Sequence, residues 1–175
     1  MNNIEVNSMK NKQGAIRMGL EEFYQCLSAE DQNMYSEIAN FATQLGYKTK
    51  KAKTQAINYV FNSNKTKKHI MKFSIEKGKP ILKMKFYAST DYSYLFHESV
   101  RVVIEEHNYK YTGCYNCGKC KDNLEGYEYT YSDGRKYFRC GGELISIQRI
   151  TLNDIPEIVN LLNTQHQYYL SKAAD

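Results

Sequence analysis

The chain has 175 residues, 42% of them hydrophobic, with 16 tyrosines, 7 phenylalanines and no tryptophan. That suits one domain with a real core, and it excludes a disordered or collagen-like class. No run approaches the roughly 18 consecutive apolar residues of a membrane span, and residues 1–13 lack the apolar stretch of a secretory signal, so a cytoplasmic protein is expected. The formal charge of +5 is unevenly spread. Between Lys48 and Lys85 stand 12 lysines, one acid (Glu76) and no arginine, so the rest of the chain is net acidic. A basic segment on an acidic remainder points to a polyanionic partner.

In chain order, residues 1–15 read as a flexible arm, and residues 16–175 as a single α+β domain. Leu20, Phe23, Tyr24 and Leu27 recur at helical spacing and predict an amphipathic helix, with Cys26 as a small core residue on it. Ser28 followed by Asp31 is a capping-box signature for a second helix, whose stripe is Met34, Ile38, Phe41 and Leu45 and whose left-handed terminator is Gly46. Residues 48–55 read as a lysine-rich loop or short helix, and 56–61 as a strand. Residues 62–68 form a basic turn. Met71, Phe73 and Ile75, then Leu82, Met84 and Phe86, alternate with more polar residues around a turn at 76–80. That pattern predicts a hairpin with its lysines on the solvent face. Asp91 or Ser93 can cap a third helix carrying Phe96, Val100, Val103 and Ile104 and ending near Asn108. Tyr127, Tyr129 and Tyr131 alternate ahead of an Asp133-Gly134 turn, so a second hairpin is expected. A strand over 144–147 and a last helix follow. Pro156 fits that helix only in its first turn, which places its start near Asn153 or Asp154. Its buried face is Ile155, Ile158, Val159 and Leu162. The expected fold is therefore an antiparallel sheet with flanking helices and a zinc-ribbon-like hairpin inserted at 109–142.

The chemistry concentrates in that insert. Cys114-x2-Cys117-x2-Cys120 with a remote Cys140 is one full ligand set. Two cysteines two residues apart can wrap one metal from a tight turn, and Gly118 after Cys117 lets backbone N–H groups reach the sulfurs. In a reducing cytosol such a cluster reads as a metal site before it reads as disulfides. The expected cofactor is Zn2+, held by four thiolates with no position open for water, hence structural. Two rival readings stand beside it: an iron–sulfur cluster, and free thiols or a redox pair. The ferredoxin spacing places its fourth cysteine three residues on with a proline behind it, and neither holds here. His107, seven residues before Cys114, is a candidate substitute ligand.

Catalytic motifs are missing. No H-x-E stands with P-C-x-x-C, and there is no H-E-x-x-H, no G-x-S-x-G, no phosphate-binding loop and no dinucleotide fingerprint. His97-Glu98 reads as an ordinary helical pair.

Lys48, Lys50, Lys51, Lys53, Lys65, Lys67, Lys68, Lys72, Lys83 and Lys85 are the candidate polyanion-binding residues. Each phosphate contacted would release counterions, and Tyr47, Tyr59 and Tyr87 could add stacking on single strands. Without arginine, bidentate base reading is not expected, so contact would run to the backbone. A solvated, aggregation-resistant sheet edge is the competing explanation for the same lysines.

Over residues 18–108 and 144–170 the element order resembles the small bacterial YdhG-like and YjbR-like α/β domains. That resemblance implies an iron-chaperone-like or DNA-binding saddle role. The segments Gly113-Cys114-Tyr115-Asn116-Cys117-Gly118-Lys119-Cys120 and Phe138-Arg139-Cys140-Gly141 resemble a group of uncharacterised bacterial proteins with the same cysteine pattern. The sequence thus reads as a non-enzymatic binding protein with a structural four-cysteine zinc site and a lysine face for nucleic acid or an acidic protein. The alternative is a small redox, iron–sulfur or metal-handling protein. Oligomeric state is not encoded in any pattern we recognise.

Overall fold

A computed structural model of the chain describes residues 19–118, 120 and 123–174; the expected arm over 1–15 lies outside them. Helix α1 (Glu21–Gln25) and helix α2 (Ala29–Gln44) lead into strands β1 (Tyr47–Lys51), β2 (Asn58–Ser63), β3 (His69–Glu76) and β4 (Lys79–Met84). Helix α3 (Tyr94–Glu105) follows, then a separate hairpin of β5 (Gly126–Thr130) and β6 (Lys136–Cys140). Strand β7 (Ile145–Ile147), a 3-10 turn (Leu152–Asp154) and helix α4 (Ile155–Ala174) complete the chain. The main sheet has five strands in the order β1-β2-β3-β4-β7, and every neighbouring pair is antiparallel. The expected α+β class with an antiparallel sheet and flanking helices is what the chain forms.

Local signals explain most boundaries. Ser28 caps α2, its Oγ accepting the Asp31 N–H at 3.1 Å, and Gly46 follows with φ +87°, a conformation glycine adopts without a Cβ clash. The β3–β4 turn uses Lys77 and Gly78 at φ 51° and 74°, the double left-handed geometry that matches strand twist. Residues 47–51 are a strand, where the sequence suggests a loop or helix. Four of its five residues are polar and it lies at the sheet edge, so no apolar alternation announces it, and edge lysines are the usual protection there. The last helix is entered through Thr151, whose N–H and hydroxyl both donate to Asp154. The 3-10 turn absorbs the extra residues, and Pro156 lands in the first α-helical turn, where it has no bond to lose.

The core face of the sheet carries Phe61, Met71, Phe73, Leu82, Met84, Ile145 and Ile147, all buried. Phe73 is its centre: Tyr35, Phe61 and Phe23 surround it with ring centroids 4.9, 4.8 and 5.2 Å away. The α1 stripe is buried as expected, but Cys26 is exposed at the helix end, where its thiol donates to the Glu22 carbonyl at 3.4 Å. It is not a core residue.

After α3 the backbone takes three consecutive left-handed residues, His107, Asn108 and Tyr109. They turn the chain into the segment that carries the cysteines. That segment docks through Tyr127, which is 2% exposed and whose hydroxyl accepts the Phe86 N–H at 3.1 Å. Glu125 adds a second link, accepting the hydroxyls of Tyr87 and Tyr168 at 3.2 and 2.8 Å.

Candidate functional site

Cys114, Cys117, Cys120 and Cys140 line one cavity of about 300 Å³, together with Asn116, Asn123 and Leu124. Two arms of chain bring them there. Gly113 bridges Arg139 in parallel fashion, with its N–H on the Phe138 carbonyl at 2.7 Å. Cys114 and Cys140 each stand one residue beyond that bridge, so backbone pairing sets them side by side. Both sulfurs accept an N–H from two residues on: Asn116 to Cys114 at 3.3 Å and Gly142 to Cys140 at 3.4 Å. Asn116 and Gly118 have φ 50° and 70°, which closes the tight turn between Cys114 and Cys117. Gly141 must lack a side chain, because a Cβ there would lie 2.7 Å from the Tyr87 ring and 2.8 Å from the Glu125 carbonyl.

The donor set suits a thiophilic ion: among the described residues the cavity wall carries four thiols and no His, Asp or Glu. Among the described residues, however, no three His, Cys, Asp or Glu side chains converge closely enough to hold an ion as they stand. His107 does not line the cavity. Its ring meets Tyr111 edge-on at 5.2 Å and its Nε2 lies 3.6 Å from Glu106.

Sequence reasoning missed Arg139. It is 4% exposed and immediately precedes Cys140. One guanidinium nitrogen donates to the Tyr111 carbonyl at 2.7 Å, and another pairs with Glu143. Glu143 also accepts the Tyr115 hydroxyl at 2.8 Å. Burial and that bond push the pKa of the Tyr115 hydroxyl up to about 12. Only the fold, by burying it between the two arms, distinguishes this arginine from a surface charge.

The ten lysines divide. Lys48, Lys50, Lys72 and Lys83 share the sheet face opposite the core. The register Lys50↔Val60↔Lys72↔Lys83↔Ser146 runs straight across all five strands. Lys72 and Lys83 are directly opposite, a repulsive placement. Glu76 relieves it from one side, pairing with Lys83 at 2.7 Å. Lys72 has no ion-pair partner within 4 Å among the described residues. Burial and the Lys83 charge hold its pKa below the usual lysine value. Lys65, Lys67 and Lys68 lie in the turn after β2 and are exposed, at the Lys48 end of the sheet.

Two expected members do not belong to this face, and a third is buried. Lys51 points to the other side and pairs with Glu22. Lys53 lies in the loop at the far end of β1. Lys85, expected in solvent, is instead buried at 5% exposure, where its N–H continues the ladder to Ile70. The stacking role also fails. Tyr47 and Tyr59 are 1% and 6% exposed, and Tyr87 is engaged with Glu125.

His97 and Glu98 do not form an acid–base pair. Glu98 is forked onto Arg101 at 2.7–3.1 Å, while the His97 ring lies against Tyr92 at 4.5 Å. No described helix is long and apolar enough to cross a membrane. No family model, curated protein or solved structure matches this chain.

Proposed function

We propose that this chain is a non-enzymatic, metal-organised binding protein. Cys114, Cys117, Cys120 and Cys140 hold one zinc ion that ties the inserted hairpin together in the manner of a zinc ribbon. The lysine row of the sheet binds the phosphate backbone of nucleic acid. The observation that carries the reading is the gathering of all four cysteines, 26 positions apart at the extremes, around one cavity with no His, Asp or Glu among the described residues of its wall. A four-thiolate site leaves no position for a reacting water, so the ion's contribution is structural. A reducing, cytoplasmic setting suits it, since the thiols must stay reduced.

The polyanion reading rests on the register. Lys50, Lys72 and Lys83 form one row across the open face, with Lys48 beside it, and no described acid lies in that row. The absence of an exposed aromatic among these positions points to phosphate contact without base stacking, and so to duplex over single strand. The resemblance in element order to DNA-binding saddles is compatible with this, although fold alone does not set function.

The test has two measurements. Metal and sulfide content of protein purified anaerobically, without added metal, should show one zinc per chain and no colour. Iron with sulfide would replace this reading with a redox or sensing one. Anisotropy of labelled duplex DNA should show binding at low salt. Replacing Lys50, Lys72 and Lys83 by Gln should flatten the salt slope by roughly 2.7, at about 0.9 per phosphate contact, while Lys51→Gln leaves it unchanged. No binding to duplex at low salt refutes the nucleic-acid reading and turns the search to acidic proteins.

A further inference from the structure

We infer that the Cys114–Cys140 half of the cysteine centre is preorganised in the metal-free chain, that Cys117 and Cys120 close onto the ion as it binds, and that the protein is a reversible acceptor of a single thiophilic ion, such as zinc or cadmium. This rests on the reading that the four cysteines bind metal, and it parts from that reading on one point: the ion is not needed for folding.

Small domains that depend on zinc to fold have little else to hold their ligand loops. Here the two arms are already joined. The bridge from Gly113 to Arg139 fixes Cys114 beside Cys140. Around it runs a polar ring: Arg139 donates to the Tyr111 carbonyl and pairs with Glu143, and the Tyr115 hydroxyl gives its one proton to Glu143 at 2.8 Å while lying 3.2 Å from the Tyr111 carbonyl. Every member is protein, so the ring forms without metal. The arms are also anchored to the body. Tyr127 is buried against Phe86 with ring centroids 5.0 Å apart, and the Gly141 N–H donates to the Glu125 carbonyl at 2.8 Å. Glu125 in turn holds Tyr87 and Tyr168.

Charge and access support exchange. Four thiolates around a divalent ion leave a net negative charge, and the Arg139 guanidinium, buried one residue from Cys140, offsets part of it. Each ligating thiol gives its proton to solvent as the ion enters. Cys117 and Gly118 are exposed, so the ion can enter and leave from that side while the Cys114–Cys140 pair stays in place. Arg139 is thus a positioning residue: it fixes the two arms and touches no metal.

The experiment strips the full chain with chelator under anaerobic, reducing conditions. It then records the near-ultraviolet circular dichroism, which tyrosine dominates in this tryptophan-free chain, and the thermal melt. Cobalt(II) is titrated in, the thiolate-to-cobalt absorption is followed, and zinc is added in competition. The stripped protein should keep its tyrosine signal and a cooperative melt, bind one cobalt, and yield it to zinc. Arg139→Gln should weaken cobalt binding about 10–100-fold at unchanged stoichiometry, the usual effect of losing a group that orients a ligand. Glu143→Gln tests the same ring should the arginine variant not fold. Loss of the tyrosine signal on stripping, regained with metal, overturns preorganisation and leaves the zinc reading standing. Wild-type affinity in Glu143→Gln overturns the role given to the ring. Failure of the wild-type chain to bind cobalt or zinc overturns both readings.

Discussion

Tyr127→Phe isolates the docking of the cysteine-bearing hairpin on the body of the protein. The substitution removes one oxygen and keeps the ring, so the contacts with Phe86 and Tyr87 at 5.0 and 5.9 Å survive. What is lost is the acceptor of the Phe86 N–H. That donor belongs to a residue with 0% exposure, leaving it no water to turn to. A buried donor stripped of its partner costs about 1–3 kcal/mol. For a chain of this size each kcal/mol moves the melting temperature by roughly 2–4 °C, so a loss near 2 kcal/mol should lower it by about 4–8 °C. Urea denaturation should show the same loss as a lower midpoint at unchanged slope. Tyr129→Phe is the control: that hydroxyl reaches no partner among the described residues, and the change should stay within about 0.5 kcal/mol. Equal stability of Tyr127→Phe and wild type would mean that the Phe86 N–H is served otherwise and that the hairpin is not anchored through this bond.

Three further outcomes follow from the geometry. Glu76→Gln removes a carboxylate that pairs with Lys83 and should strengthen duplex binding at low salt; unchanged affinity would place the binding surface elsewhere. His166, 7% exposed and 3.3 Å from the Tyr47 hydroxyl, has its pKa lowered by burial and by the Lys65 charge. The unfolded chain therefore takes up the proton first. This site's contribution is fully present above about pH 6.5 and is lost as pH falls from there towards the lower folded value. The urea midpoint should drop between about pH 7.5 and 5.5, and less so in His166→Gln; equal drops in the two proteins would assign the effect to other groups. Cys26→Ser should leave metal content and stability as they are, since its thiol is exposed and lines no part of the cysteine cavity; a fall in bound metal would break the four-ligand assignment.

Patterns that depend on neighbours in sequence were legible from the chain. The Ser28 cap, the Gly46 terminator, the β3–β4 hairpin and the helical stripes all follow from steric and hydrogen-bonding rules acting over a few residues. The C-x2-C-x2-C spacing likewise marks its thiols as a candidate ligand set. Strand β1 was not legible, because an edge strand rich in lysine has no buried face to write a period of two. Lys85 stands in the same lysine-rich segment as Lys72 and Lys83, and only the packing at the end of the sheet buries it. The same holds for Tyr47 and Tyr59, which look like free stacking platforms until the helices cover them.

Composition and periodicity encode locally the antiparallel sheet, the helices around it and the spacing of the cysteines. The tertiary structure decided what lies beside what. It aligned Lys50, Lys72 and Lys83 in one row through strand register, set Cys114 next to Cys140 through the bridge at Gly113, and placed the Arg139 guanidinium between the two arms. These juxtapositions join residues up to 33 positions apart, and they follow from the burial of Phe73, Phe86 and Tyr127 in a shared core, which no local pattern specifies.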